Sequence, residues 1–432
     1  MASIWSKTVE LSAFPVLEGD AVTDVLIIGG GMAGALCAYY LKQAGVDCLL
    51  VEANTVGSGV TQNTTAKITA QHGLIYHRLL KKYAVDKARL YLSANLQAVE
   101  EYGRLCADMD CDFIRRESCV YATDGADQLI QEFSALRQLN YGAVFRKKLP
   151  IPVDTYGGIF FPDQGQLHPM KFLAELCRGL PIYEHTKALE LAPHEVRTTG
   201  GTIRANRIIV ATHFPMLNKH GSYFLKLYQH RSYCIALENV PALTGMYVDK
   251  SQTGLSFRSY GDLLILGGGG HRTGKQGTAW QELEDFSRRH YPGSKIRYRW
   301  AAQDCMSLDG IPYIGRYSSR TKGLYTAAGF NKWGMTGSMV AARLLTDVIT
   351  GTPNPYEDLF SPSRSILHRQ LAVNGLEAMC NLLTPSRKRC SHLGCALKWN
   401  PREHSWDCPC HGSRFSKGGE RLDGPATGNL KK

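Results

Sequence analysis

The sequence lacks an apolar run long enough to cross a membrane as a helix. Residues 25–41 carry no charge, but this stretch of seventeen residues contains three consecutive glycines, which disfavour a membrane-spanning helix. The first 24 residues lack a positively charged segment followed by an apolar core, so no export signal is expected. We therefore expect a cytoplasmic protein without a transmembrane segment, and a peripheral position at a membrane stays open.

Nucleic-acid-binding motifs and long basic runs are also absent, although the net charge is +12. Half of this excess lies in the last 49 residues, where ten Lys and Arg stand against four Asp and Glu. Basic charge without a recognition motif gives little support to nucleic-acid binding. No nucleic-acid partner is therefore expected.

The thirteen cysteines do not form the framework of a small disulfide-rich secreted protein. Nine of them are scattered, as is usual for small buried side chains in a reducing compartment. These nine are Cys37, Cys48, Cys106, Cys111, Cys119, Cys177, Cys234, Cys305 and Cys380. The other four are concentrated near the C-terminus, together with histidines.

Two short C-terminal motifs of cysteine and histidine predict a metal site. Cys390 stands two residues before His392, and Cys408 stands three residues before His411. Two thiolates and two imidazoles can bind zinc. They can also bind a [2Fe-2S] cluster with sulfur on one iron and nitrogen on the other, which raises the reduction potential because neutral imidazoles replace negative thiolates.

The two motifs resemble the loops of the Rieske [2Fe-2S] family, where they read C-x-H-x-G-C and C-P-C-H-G-S. The resemblance favours the cluster over zinc. It implies a pair of ligands for each iron, namely Cys390 with Cys408 and His392 with His411. It also implies a disulfide that links the two loops through their remaining cysteines, Cys395 and Cys410.

Neighbouring positions refine this expectation. Ser413 matches a serine that donates to a cluster sulfide, whereas Phe415 stands where high-potential members carry a tyrosine that donates to a ligand thiolate. Because hydrogen bonds to sulfur favour the reduced cluster, the phenylalanine is expected to lower the potential. The β-rich base of a full Rieske domain is not evident before Cys390, so only the cluster-binding module is expected. Basic residues 387–389 favour an acidic electron-transfer partner.

The N-terminal part of the chain contains the pattern of a dinucleotide-binding unit. A short apolar strand leads into Gly-Gly-Gly-Met-Ala-Gly at residues 29–34, and a helical segment follows. In this pattern Gly29 permits the tight turn, Gly31 lets the pyrophosphate approach the helix, and Gly34 allows the helix to pack closely on the strand. The turn therefore predicts a pyrophosphate site at the N-terminus of a helix.

A second apolar strand strengthens the prediction. Residues 48–51 form this strand, and it ends in Glu52, whose carboxylate can accept hydrogen bonds from both ribose hydroxyls. Met32 and Ala33, at the start of the helix, are expected to turn their backbone N–H groups to the pyrophosphate. Strand, glycine turn, helix, strand and acid together are typical of a dinucleotide site.

Later segments indicate that the dinucleotide is FAD. Residues 57–73 resemble the polar loop that passes the flavin in the D-amino-acid oxidase and glycine oxidase superfamily. Residues 323–337 resemble the superfamily's last strand and helix, whose N-terminus stabilises negative charge on the flavin pyrimidine. The resemblance covers residues 20–352 and implies bound FAD. The further residues that it places at the cofactor are Thr64, Thr65, Ala211, Gly329, Gly334, Met335 and Thr336.

These patterns predict the fold class and the division of the chain. We expect an α/β fold in which a Rossmann-type FAD-binding domain is interleaved with an antiparallel-sheet substrate domain. Residues 256–266 read as a hairpin of the substrate domain, and the glycines at 267–270 lack the spacing of a second dinucleotide site. We expect the oxidoreductase at residues 1–360, a helical linker at 361–385 and a truncated Rieske module at 386–432.

The two cofactors suggest a path for electrons. A flavin accepts two electrons as a hydride and can release them singly, whereas a [2Fe-2S] cluster carries one. The resemblance implies a dehydrogenase-type enzyme that oxidises a small amine or amino-acid-like substrate. Electrons would then pass through the cluster to a one-electron acceptor, such as an acidic redox protein or a quinone. The alternative is a non-enzymatic flavin and iron-sulfur protein that transfers electrons or senses redox state.

No catalytic side chain is evident, but several cations are candidates. A substrate carboxylate could be bound by one of four side chains, Arg231, Arg258, Arg272 or Lys332. Lys67 could touch the flavin ring together with the neighbouring threonines. An open cavity lined by cations would favour the enzyme, and a sealed flavin face would favour the electron-transfer alternative.

Overall fold

The chain folds around two large β-sheets and one small sheet near the C-terminus. The computed structural model describes residues 2–217 and 220–431. Its strands are β1 (Ala21–Ile28), β2 (Cys48–Val51), β3 (Lys67–Ile68), β4 (Ile114–Tyr121), β5 (Val144–Arg146), β6 (Gly158–Gln166), β7 (Ile182–Tyr183), β8 (Ala188–Ala192), β9 (Glu195–Thr198), β10 (Thr202–Val210), β11 (Leu227–Glu238), β12 (Met246–Asp249), β13 (Ser256–Tyr260), β14 (Leu263–Arg272), β15 (Lys295–Ser307), β16 (Tyr313–Arg316), β17 (Leu324–Ala328), β18 (Lys398–Asn400), β19 (Ser405–Asp407), β20 (Arg414–Ser416) and β21 (Arg421–Asp423).

Helices connect and cover these sheets. They are α1 (Trp5–Thr8), α2 (Met32–Gln43), α3 (Ile75–Lys82), α4 (Val85–Cys106), α5 (Asp127–Gln138), α6 (Pro169–Leu176), α7 (Tyr223–Lys226), α8 (Trp280–His290), α9 (Gly334–Thr350), α10 (Glu357–Phe360) and α11 (Arg369–Leu383). Helices α2 and α9 pack against each other beside the first sheet. In the described part of the chain, none of the helices is long and apolar enough to span a membrane.

The first sheet is largely parallel, with the order β16-β17-β10-β1-β2-β7. Its central strand β1 pairs in parallel with both β10 and β2, so that Ile28 lies opposite Val210 and Val51. The last residues of β1 are all buried, as expected for a strand covered on both faces. The carboxyl ends of β1, β2 and β10 therefore meet at one edge, where ligands bind in open α/β sheets.

The second sheet is mostly antiparallel, with the order β15-β11-β14-β13-β12-β4-β6-β3. The expected hairpin is present as β13 and β14, and Tyr260 pairs with Leu263 at its turn. The glycines at residues 267–270 lie within β14, so they do not form a nucleotide loop. The predicted fold class, a Rossmann-type domain interleaved with an antiparallel substrate domain, is confirmed.

The C-terminal segment forms a small sheet of four strands in the order β18-β19-β20-β21. Each strand has three residues, and four cysteines, Phe415 and Ala426 form its core together with Leu397. Helix α11 lies within residues 361–385, where the sequence predicts a helical linker. The inner side of this helix packs on the small core through Ala378.

Candidate functional site

The glycine turn after β1 leaves room for a ligand only at Gly31. A Cβ atom at Gly29, whose φ is 112°, would lie 2.7 Å from the carbonyl oxygen of Ala211. At Gly34 it would lie 1.9 Å from the carbonyl oxygen of Gly29, so the fold itself requires both glycines. At Gly31 the nearest protein atom would be 3.5 Å away, the hydroxyl oxygen of Thr61. The space before Gly31 is thus free for the pyrophosphate of FAD.

Glu52 and Thr61 shape this turn. One carboxylate oxygen of Glu52 accepts a hydrogen bond from the N–H of Gly30 at 2.7 Å, and the other accepts from Asn54 at 2.9 Å. The hydroxyl of Thr61 accepts from the N–H of Met32, at the start of α2, at 3.0 Å. Thr61 is a candidate cofactor contact that the sequence patterns do not single out.

A single cavity of about 1330 Å³ contains most of the predicted cofactor residues. It reaches from the glycine turn to the N-terminus of α9. The predicted residues that line it are Gly29, Gly31, Met32, Ala33, Glu52, Thr64, Thr65, Lys67, Ala211, Arg231, Lys332, Gly334 and Met335. Gly34, Gly329, Thr336, Arg258 and Arg272 do not line it. A cavity of this volume that reaches from a pyrophosphate cradle to a helix N-terminus fits an FAD molecule.

The N-terminus of α9 faces the far end of this cavity. Gly334 and Met335 line the wall, and Trp333 stacks on the ring of His72 at 5.0 Å. The Nε2 atom of His72 lies 2.9 Å from the hydroxyl of Thr336. Thr336 belongs to α9 but does not itself line the cavity. Burial lowers the pKa of His72 to about 3, so its imidazole is uncharged. The positive end of the α9 dipole is therefore directed at the cavity.

Three ionisable side chains line the same region of the cavity. Lys67 donates to the hydroxyl of Thr65 at 3.2 Å, and Lys332 donates to the carbonyl oxygen of Gln252 at 2.9 Å. Among the described residues, the structure gives the carboxylate of Asp304 neither a hydrogen bond nor an ion pair. All three groups lie within electrostatic range of the Cys234 thiol.

Burial shifts the pKa of each of these groups towards its neutral form. It lowers the pKa of Lys67 to about 7, with the charge of Arg258 adding to the effect. It also lowers the pKa of Lys332 and raises that of Asp304, although each charge partly opposes the shift of the other. Asp304 belongs to β15 and to no recognisable motif, so the sequence does not identify it.

Arg258 does not face the cavity. Its side chain is fully buried and donates to the carbonyl oxygens of Thr65 at 2.6 Å and Ala66 at 2.8 Å. The guanidinium carbon also lies 5.3 Å from the ring of Trp5. Arg258 therefore holds the predicted flavin loop against the second sheet, and the structure does not support a contact with a substrate carboxylate.

Arg231 and Arg272 contact the C-terminal module, which corrects their expected role as substrate anchors. The guanidinium of Arg231 forms a buried, two-point ion pair with Glu403. Arg272 donates to the carbonyl oxygens of Pro409 at 3.0 Å and Cys410 at 3.1 Å. Both arginines therefore attach the module to the second sheet, and Lys332 is the remaining candidate that lines the cavity without an ion pair.

The predicted cluster residues come together in the module. The sulfur atoms of Cys395, Cys408 and Cys410 lie within 4.8 Å of one another, and Cys390 is buried in the same small core. The expected Cys395–Cys410 disulfide is not formed, because both residues are free thiols. Its formation would require the removal of two electrons from thiols that are already adjacent.

The two histidines complete a donor set for a [2Fe-2S] cluster. Their rings lie 5.0 Å apart and are perpendicular. The Nδ1 atom of His411 is buried and has no hydrogen-bond partner among the described residues. Burial lowers the pKa of His411 to about 4, so its imidazole is neutral and has a lone pair for iron. Ser413 is fully buried and accepts a hydrogen bond from the N–H of Ala426 at 3.1 Å, and its contact with a cluster sulfide stays a prediction.

The histidine side of the module faces the cavity and the second sheet. The ring of Phe214, which lines the cavity, lies 6.1 Å from that of His392 and 6.4 Å from that of His411. Gln303 of β15 donates to the carbonyl oxygen of Gly412 at 2.9 Å. The cluster loops are therefore docked on the substrate domain, with Phe214 between the histidines and the cavity.

Comparisons with known proteins agree with this arrangement. Residues 24–348 match the model of the FAD dependent oxidoreductase family, and residues 381–432 match that of the Rieske [2Fe-2S] domain. YhfW of Bacillus subtilis (strain 168), named as a Rieske 2Fe-2S iron-sulfur protein, is 34% identical across 99% of this chain and 96% of its own.

More distant proteins share the oxidoreductase part. Gamma-glutamylputrescine oxidoreductase of Escherichia coli (strain K12) is 24% identical over 80% of this chain and 87% of its own. The crystal structure of glycine oxidase from Geobacillus kaustophilus superposes with a TM-score of 0.66 at 20% identity, and covers 80% of this chain and 100% of its own. The latter similarity is evidence for the fold alone.

Proposed function

Since the chain belongs to the FAD-dependent oxidoreductase family and carries a C-terminal Rieske [2Fe-2S] domain, we propose that it oxidises a small amine or amino-acid-like substrate. The proposed bond to be oxidised joins carbon to nitrogen. The observation that carries this proposal is the cavity wall where Asp304 and Lys332 lie near the N-terminus of α9. Gamma-glutamylputrescine oxidoreductase, which is named for such a substrate, supports it.

Opposite charges on one wall suit a substrate that carries both an ammonium and an anionic group. The carboxylate of Asp304 can bind the ammonium, and the amine of Lys332 can bind the anion. Hydride transfer requires an unprotonated amine, so the ammonium must first lose a proton. Because burial raises the pKa of Asp304, its carboxylate is a better proton acceptor than an exposed aspartate. FAD, when bound, accepts the hydride.

We further propose that the electrons leave singly through the Rieske cluster to a one-electron acceptor. The position of Phe214, in contact with both cluster histidines and with the cavity, supports this route. The buried ion pair of Arg231 and Glu403 also supports it, because it holds the module in place. The eight scattered cysteines that are buried support a reducing compartment such as the cytoplasm.

Anaerobic mixing with candidate substrates tests the oxidation. Amino acids and N-methyl amines are added to the holoenzyme, and flavin bleaching is followed. Asp304→Asn should raise the half-saturating substrate concentration by about tenfold or more, since hydrogen bonds to charged groups contribute about 1.5–3 kcal/mol. Asp262→Asn, in the exposed turn between β13 and β14, is the matched control. If the Asp304 variant and the native enzyme had the same half-saturating substrate concentration, the role assigned to Asp304 would be wrong.

The same mixing tests the electron route. The cluster should become reduced after the flavin, without an added mediator. His392→Ala should leave flavin reduction by substrate nearly intact and abolish transfer to a one-electron acceptor. A cluster that stays oxidised beside a fully reduced flavin would refute the route and leave the substrate oxidation standing.

A further inference from the structure

Helix α11 turns its polar side inward and its apolar side outward. Its buried residues are Asn374 and Asn381. Asn374 accepts a hydrogen bond from Arg272 at 2.9 Å and donates to the carbonyl oxygen of Leu225 at 3.3 Å. The inner side of the helix is thus fixed mainly by polar contacts, with Ala378 as its apolar contact to the cysteine core, whereas an ordinary surface helix buries an apolar stripe.

The outer side of this helix forms an exposed apolar surface. Of the sixteen large apolar side chains that are exposed in the described residues, seven lie between residues 367 and 393. Five of these are on α11, with exposed fractions of 46 to 75%, and a sixth is on the first cluster loop. We call these six residues the apolar face: Val373, Leu376, Met379, Leu382, Leu383 and Leu393.

Basic side chains border the apolar face. Arg369 begins α11, and Arg387, Lys388 and Arg389 follow its end. None of the four forms an ion pair with a described carboxylate. Arg389 donates to the carbonyl oxygens of Leu382 at 3.2 Å and Gly394 at 2.9 Å, which joins the end of the helix to the cluster loop.

The apolar face lies directly over the cluster module. The thiol of Cys410 points to the carbonyl oxygen of Glu377 at 4.0 Å, and Ala378 packs against the cysteine core. An α-helix with its side chains is about 10–12 Å thick. The cysteine core of the module is therefore separated from whatever covers the apolar face by about one helix.

We propose that α11 docks the protein on an anionic lipid surface, with the apolar face in the interface and the basic residues at the headgroups. Exposed leucine, valine and methionine can enter a bilayer interface, and bordering basic residues are attracted by anionic lipids. The docked orientation places the cluster module beside the membrane. A membrane-dissolved acceptor such as a quinone could then receive electrons there.

Other occupants suit the surface less well. The apolar face has no tyrosine or tryptophan, which dominate binding energy at protein interfaces, whereas leucine and valine are under-represented among such residues. A symmetric contact between two copies would place the same patch of each copy against the other. It would thus bring the unpaired basic residues of both copies together. A bilayer needs no aromatic anchors from the protein, and it does not bring a second set of basic residues to the surface.

Flotation of the holoprotein with lipid vesicles tests the proposal. Native protein should bind vesicles of phosphatidylcholine and phosphatidylglycerol about tenfold or more tightly than vesicles of phosphatidylcholine alone, and less tightly at high salt. The double variant Leu376→Ser/Leu383→Ser should lose binding to both. Val22→Ser/Ile130→Ser, which removes two exposed apolar side chains elsewhere, is the matched control and should bind like the native protein.

A second variant tests whether vesicle binding depends on the basic residues. Arg387→Gln/Lys388→Gln should remove most of the preference for phosphatidylglycerol, with the flavin and cluster absorbance as a check on folding. The proposal would be wrong if native protein did not float with vesicles that contain phosphatidylglycerol. It would also be wrong if the Leu376/Leu383 variant floated like the native protein, or if the native protein formed a stable dimer that this variant dissociates. The readout is binding and does not depend on the substrate or on turnover.

Discussion

The guanidinium of Arg231 and the carboxylate of Glu403 form an ion pair that joins the substrate domain to the cluster module. The Nε atom of Arg231 donates to Glu403 at 2.9 Å, and both side chains are less than one-tenth exposed. Tyr233 donates to the same carboxylate at 2.9 Å, and Arg414 also donates to it at 2.9 Å. This carboxylate is therefore the centre of a buried charge network between the two parts of the chain.

Removal of one partner of this pair should loosen the module. Glu403→Met leaves the buried guanidinium of Arg231 without its carboxylate and should cost about 3–5 kcal/mol of unfolding free energy. Arg231→Met should cost less, because Arg414 still pairs with Glu403. The double variant Arg231→Met/Glu403→Met should be less destabilised than the sum of the single variants. Denaturant unfolding, followed separately at the flavin and cluster bands, measures this. If the double variant lost as much unfolding free energy as the two single variants together, Arg231 and Glu403 would not be coupled.

The same pair predicts a loss of stability in acid. Burial favours the neutral form of Glu403, but the hydrogen bonds and charges of Arg231 and Arg414 outweigh it and lower the pKa to about 2. A carboxyl group with a lowered folded-state pKa contributes stability above its unfolded value, near 4.3, and this is lost as the pH falls towards 2. Glu403→Gln should reduce the acid sensitivity of cluster retention between these values. An unchanged pH profile in this variant would contradict the prediction.

Local motifs can be recognised in the sequence, because their pattern depends on a few neighbouring residues. The glycine turn with Glu52 and the cluster ligand pairs are of this kind. The partners of Arg231 could not be predicted in the same way. Glu403 is 172 residues further along the chain, and only the docking of the module on β11 brings the two together.

Asp304 carries no local sequence signal either. It lies in the thirteen-residue strand β15, opposite His230 of β11. A single carboxylate within a long strand has no spacing that marks it as functional. Its proposed role follows from the cavity that it shares with Lys67 and Lys332, which are on β3 and just before α9.

Gly31 and Gly34 should respond differently to the same substitution. Gly31→Ala meets no protein atom closer than 3.5 Å, so the fold should persist while the pyrophosphate site is obstructed. Gly34→Ala would place its methyl group 1.9 Å from the carbonyl oxygen of Gly29 and should destabilise the whole domain. FAD content and thermal unfolding of the apoprotein separate the two effects. Full FAD occupancy in Gly31→Ala would contradict the proposed cradle.

Lys67 predicts a second pH dependence, in which stability again rises with pH but over a higher range than for Glu403. Burial and the charge of Arg258 lower its pKa to about 7, against about 10.4 in an unfolded chain. The buried charge of Lys67 therefore lowers the unfolding free energy fully below pH 7, and this loss disappears as the pH rises towards 10.4. Lys67→Met should stabilise the protein near pH 6 and have little effect near pH 10. Equal effects at both values would show that Lys67 does not titrate as stated.

Phe415 should set the cluster potential, and its replacement by tyrosine should raise it. Phe415 is fully buried in the core formed with Cys390 and Cys408, where high-potential Rieske proteins carry a tyrosine. A new hydroxyl that donates to a ligand thiolate would favour the reduced cluster. A hydrogen bond of about 1 kcal/mol corresponds to roughly 40 mV for one electron.

A redox titration followed by EPR measures the effect of Phe415→Tyr. The comparison is with Phe415→Leu, which changes the packing without adding a donor and should not raise the potential. Because the site is fully packed, the cluster content of each variant must be matched to that of the native protein before potentials are compared. A potential that stays unchanged in Phe415→Tyr with an intact cluster would mean that the hydroxyl does not reach a ligand sulfur. The phenylalanine would then not account for a low potential in this protein.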